Sequence, residues 1–107
     1  MELSLDGWDI GYVDQADWVP WGPRGDAKAK VLAAADGFTV VLVEAEPGYH
    51  GDPHEHAYPE FLHVIRGTLR NQGKEMGPGD SYAAATGSTH TDFETETGAM
   101  YLSIFKL

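Results

Sequence analysis

The chain has 107 residues, 42% of them hydrophobic and 22% charged, the size of one domain and a composition that excludes a disordered segment. Seven lysines and arginines against seventeen aspartates and glutamates leave a formal net charge of −10, so nucleic acid and anionic membrane surfaces are repelled as partners. Cysteine is absent, which excludes a disulfide framework and leaves nitrogen and oxygen as the donors for any metal.

No run of about eighteen apolar residues is present, so no membrane-spanning helix is expected. The first residues carry Glu2, Asp6 and Asp9 without a basic stretch, which does not read as a secretory signal, and cytoplasmic residence is the expectation. The whole of 1–107 reads as one domain, a Trp/Pro-rich segment over 1–25 followed by a barrel over 26–107. Residues 1–25 hold Trp8, Trp18 and Trp21 among Pro20, Gly22 and Pro23, a mix that predicts extended segments and turns because proline fixes φ and removes a donor. Three tryptophans so close together are expected to leave water, either by covering one mouth of the barrel or by forming a dimer contact. The sequence leaves those two open.

Residues 27–36 are alanine-rich and compatible with a helix, but the stretch is short and lacks a convincing cap. Residues 38–46, with Val40, Val41, Leu42 and Val43, read as a strand ending at Pro47-Gly48. The next strands are expected over 58–66, then as a hairpin of 68–72 and 74–76 about Gly73, then over 81–85 after the Pro78-Gly79 turn. Residues 90–95 and 99–106 complete the series. Short strands punctuated by Gly and Pro predict an all-β barrel or sandwich.

The chemistry concentrates between Gly48 and Gly67. His54 and His56 are two apart, so an extended chain points both imidazoles to one face, and Glu60 keeps that face if Pro59 leaves the strand unbroken. Two imidazoles and a carboxylate converging inside a barrel suit a borderline divalent metal.

Taken together, these residues resemble the cupin superfamily. Its first motif is filled in full by Gly48, His54, His56, Glu60 and Gly67; Gly79, Gly87 and His90 match the second, where Ala85 replaces a proline and Glu94 an asparagine. The resemblance implies a double-stranded β-helix (jelly-roll) barrel and one divalent metal ion on His54, His56, Glu60 and His90, with Fe, Zn, Mn, Ni and Cu all compatible. Four protein ligands on an octahedral ion leave two open positions, as a catalytic centre needs.

Around this quartet, His50, Tyr58, Leu62, Val64 and Tyr82 are candidates to meet a substrate. His50 shares parity with the histidine pair but reads more readily as a turn residue. Leu62 and Val64 share Glu60's parity and are expected to line the cavity. Tyr49, Tyr58 and Tyr82 can each donate to a bound oxyanion or simply pack; Asp52 reads as a turn residue, and Ser103 and Glu94 stay undecided. His63, three beyond Glu60, is expected on the opposite face. The resemblance implies two functions: a mononuclear metal-dependent oxygenase on a small organic molecule, or a non-catalytic metal- or ligand-sensing module. The second rests on Trp18-Val19-Pro20 and the His-to-Glu spacing, which look like the cupin domain of ChrR-type anti-sigma factors, although the chain is too short for a helical sigma-binding domain. Sugar isomerisation is a weaker third option, and a homodimer is expected because sheet edges need covering.

Overall fold

The computed structural model describes residues 2–107. One 3-10 turn, Val13–Gln15, precedes eleven strands: β1 (Val19–Trp21), β2 (Ala27–Ala35), β3 (Phe38–Ala45), β4 (His54–Glu55), β5 (Glu60–Gly67), β6 (Leu69–Asn71), β7 (Lys74–Met76), β8 (Ser81–Ala84), β9 (Thr89–His90), β10 (Phe93–Glu94) and β11 (Ala99–Lys106). The fold is all-β, as expected. The alanine-rich stretch is strand β2, because Asp36 and Gly37, at φ 53° and 84°, close a two-residue hairpin that pairs Ala35 with Phe38. Gln72 and Gly73 do the same between β6 and β7, at the place the sequence predicts.

A six-stranded antiparallel sheet runs β1-β2-β3-β11-β5-β8, with a three-stranded sheet β10-β6-β7 and a two-stranded ribbon β4-β9 completing the structure. Period-2 alternation sends Ala27 and Ala29, Val41 and Val43, Leu62 and Val64, and Ala99 and Tyr101 into one buried cluster with Leu69, Met76 and Phe93. Each valine or leucine so buried contributes roughly 1.5–3 kcal/mol. Gly67 ends β5 against the neighbouring turn: a Cβ there would lie 2.2 Å from the Gly98 carbonyl oxygen, so no larger residue fits.

Two strand boundaries depart from the sequence reading. The expected strand over 58–66 starts at Glu60, since Pro59 supplies no ladder donor, and the extended run from His54 therefore breaks. The strand expected over 90–95 is split at Thr91-Asp92, whose backbone N–H groups donate at 2.7 and 2.9 Å to the side-chain Oε1 of Gln72 instead of to a strand.

The N-terminal segment lies against β2, where the Ala34 N–H donates to Asp9 Oδ2 at 2.9 Å and Lys30 Nζ to the Val13 carbonyl at 2.7 Å. Its tryptophans separate. Trp21 packs against Phe105 at 5.9 Å, Trp18 lies beneath the ammonium groups of Lys28 and Lys30, and Trp8 stays 74% exposed. Among the described residues no helix is long and apolar enough to cross a membrane.

Candidate metal centre

Strand pairing explains why a histidine so distant in sequence reaches the His54-x-His56 pair. In the β4-β9 ribbon His54 and His90 are direct partners, and directly opposite residues hold their Cβ atoms within about 5.5 Å of each other. His56 is tied to the same ribbon through its backbone: its N–H donates to the Ser88 carbonyl at 2.9 Å and its carbonyl accepts from Gly87 at 2.7 Å. The three rings stand 4.8, 5.2 and 5.4 Å apart, and one ring nitrogen from each lies within 4.8 Å of the other two.

Each imidazole is oriented through its other nitrogen. His54 Nδ1 donates to the Asp52 carbonyl at 2.9 Å, His56 Nδ1 to the Ser88 carbonyl and Oγ at 3.1 and 3.0 Å, and His90 Nε2 to Asn71 Oδ1 at 2.6 Å. Carbonyl oxygens only accept, so these nitrogens carry protons, and His54 Nε2, His56 Nε2 and His90 Nδ1 are the nitrogens that a neutral ring would offer to a metal. His56 Nε2 is buried without a hydrogen-bond partner, an arrangement that costs about 1–3 kcal/mol unless something accepts its lone pair. Burial also lowers the pKa of His90, overriding the upward pull of Glu60, and so favours the neutral form a metal needs. The donor set fits a borderline divalent ion.

Glu60 faces the same cavity but stands apart from the trio. One of its carboxylate oxygens accepts the Tyr82 hydroxyl, and burial together with the Glu60 charge pushes that hydroxyl's pKa far up, so it remains a donor. The cavity holds about 310 Å³, near the lower end of the roughly 300–1,000 Å³ typical of ligand sites. Its walls include His54, Glu60, His90, Leu62, Tyr82, Tyr101, Ser103, Phe105 and Trp21.

The other candidates disperse. Val64 is fully buried in the core cluster and does not line the cavity, although Leu62, two residues earlier on the same face of β5, does. Tyr58 falls in the loop that Pro59 creates and is half exposed, with the Lys106 ammonium 4.5 Å over its ring. His50 is exposed, bridges Glu94 on the backbone and accepts from Arg24 through its carbonyl at 3.1 Å. Asp52 lines the cavity and Arg24 pairs with it, while Tyr49 also lines the cavity. Glu94 is bonded to Arg70 at 2.8 Å, and His63 points outward to Ser81 Oγ at 2.7 Å. Asn71, Ser88, Tyr101 and Phe105 escape the sequence reading. Of these, Tyr101 and Phe105 were within reach, since with Ser103 they alternate on one face of β11.

The sequence matches the ChrR cupin-like domain family over residues 9–106. No curated protein matches it. Among solved structures, an RmlC-like cupin from Shewanella frigidimarina superposes with a TM-score of 0.79 at 21% identity, covering 91% of this chain and 88% of that one. The complex of Rhodobacter sphaeroides SigE with the anti-sigma ChrR matches with a TM-score of 0.74 at 20% identity, over 89% of this chain and 52% of that one. An acetylacetone dioxygenase from Acinetobacter johnsonii matches with a TM-score of 0.72 at 13% identity, over 99% of this chain and 72% of that one. At such identities the likeness is one of fold.

Proposed function

The chain belongs to the ChrR cupin-like family, and from that premise we propose that it holds one divalent ion on His54, His56, His90 and Glu60 and acts as an oxygenase-like enzyme on a small organic molecule. The observation that carries this reading is the buried, unpartnered Nε2 of His56, set in a trio of imidazoles beside a cavity of about 310 Å³. Tyr82 engages one oxygen of Glu60 and leaves the second for the ion. When bound, such an ion supplies Lewis-acid or redox chemistry to a chelating ligand. The chain's own part is to orient the imidazoles through Asp52, Ser88 and Asn71, to hold Glu60 through Tyr82, and to exclude water with Leu62, Tyr101, Phe105 and Trp21.

The family match favours a second reading, a metal- or ligand-sensing module without turnover. Metal analysis of protein from its native host, followed by oxygen uptake on diketone and catechol panels, separates the two. Iron or copper with uptake supports the enzyme, zinc without uptake supports the sensor, and protein that retains no divalent metal overturns both. A cytoplasmic homodimer belongs to the same proposal; light scattering that shows a monomer at micromolar concentration removes the dimer.

A further inference from the structure

The cavity wall beyond the histidines differs sharply from the chain's average surface. Trp21, Leu62, Phe93 and Phe105 build its apolar part, the carboxylates of Asp52 and Asp92 also border it, and among the described residues no lysine or arginine lines it. Aromatic rings brace one another across it, Trp21 with Phe105 at 5.9 Å and Phe93 with Tyr101 at 5.5 Å. Two arginines lie behind its rim, and both are engaged. Arg24 pairs with Asp52, and Arg70 donates to both oxygens of Asp92 at 2.9 Å and to Glu94 at 2.8 Å.

A ligand's carboxylate placed in this wall would lose its hydration with no cation to replace it, a cost that apolar contact does not offset. The net charge of −10 adds a repulsive approach. Resting on the metal reading above, we infer that the site takes molecules whose metal-binding oxygens sit at one end and whose remaining body carries no negative charge. Selectivity against anionic tails is thus set by the absence of a free cation in the wall and by the carboxylates of Asp52 and Asp92 that border it.

Two catechols with the same chelating end and different tails test this by calorimetric titration into zinc-loaded protein: 4-ethylcatechol and 3,4-dihydroxyphenylacetate. The ethyl probe is expected to bind at least tenfold more tightly than the carboxylate. Phe105→Lys, which sets an ammonium in the wall, is expected to tighten 3,4-dihydroxyphenylacetate at least tenfold relative to the unaltered protein. If zinc is retained and 3,4-dihydroxyphenylacetate binds within threefold of 4-ethylcatechol, this inference falls while the metal reading stands. If metal analysis finds no bound zinc, the metal reading falls and takes the inference with it. Should Phe105→Lys fail to fold, the probe series on the unaltered protein decides alone.

Discussion

In the six-stranded sheet β11 pairs with β3 along all eight of its residues and buries valines, alanines and a tyrosine between them; in the β4-β9 ribbon two residues pair with two, and two of those four are histidine. The sheet is held by apolar area and a continuous ladder, which need no partner outside the chain. The ribbon has neither, and its geometry comes from side-chain bonds to Ser88, Asn71, Asp52 and Gln72. Stability and chemistry are therefore carried by different regions. Changes in one should register weakly in the other.

The largest expected effect is on the ribbon. His56→Ala removes the buried donor and should weaken binding of zinc or iron more than about 100-fold, beyond the 10–100-fold lost with an outer-shell partner. Circular dichroism should keep its strand signature. Competition with a chromophoric chelator reads the affinity, and a variant that holds metal as before would break the ligand assignment. Metal should also leave as pH falls below about 6, where imidazoles protonate. Burial holds the pKa of His90 below the ordinary imidazole value.

The complementary change strikes the sheet. Val41 is fully buried in β3 away from the cavity, and Val41→Ala should cost about 2–3 kcal/mol in denaturant unfolding. Metal stoichiometry should stay at one per chain. A matching loss of metal would show that sheet and ribbon are coupled, against the contrast drawn above.

Asn71 tests the ribbon at one remove, since it touches His90 and is not one of the proposed ligands. Asn71→Ala frees the His90 ring to turn and should weaken metal binding about 10–100-fold, with a changed visible spectrum of the cobalt-loaded protein. Asn71→Asp restores an acceptor at that place and should recover most of the affinity. A spectrum unchanged in both variants would reduce Asn71 to packing.

The same contrast explains what could be read before the structure. The sheet was legible locally: Leu62 was placed by period 2 because β5 extends far enough for alternation to be visible, and residues 38–46 read as a strand from the run Val40, Val41, Leu42 and Val43. The His-x-His pair was legible for the same reason. What the ribbon adds depends on pairing register, which no local pattern encodes: His90 faces His54 only because β9 opposes β4 residue for residue. Gln72 and Asn71 act through side chains reaching across a turn, so neither residue type marks its own role. Pro59 was visible as a disturbance of parity, but the displacement of Tyr58 it causes, and the tie of Glu60 to Tyr82, required coordinates.

The smallest effect lies in the clamp between the two regions. Arg70 from β6 takes both oxygens of Asp92, whose second oxygen also accepts the Gly73 N–H at 2.9 Å, so the loop after His90 is pinned to the β6-β7 hairpin. The Arg70 guanidinium, then that N–H, lowers the Asp92 pKa from 3.8 to about 2. A carboxylate whose folded pKa is depressed contributes stability above its unfolded pKa and loses it as pH falls toward the folded one. The stability difference between the unaltered protein and Asp92→Asn should therefore be constant from pH 7 down to about 4, shrink between about 4 and 2, and disappear below. Because the pair is solvent-exposed, 1 M salt should reduce it as well. Urea midpoints across that range read the effect in metal-free protein, which keeps acid-driven metal release out of the curve. A difference that persists unchanged at pH 2 would mean that Asp92 acts through shape alone, and that the ribbon is held without the charge of its clamp.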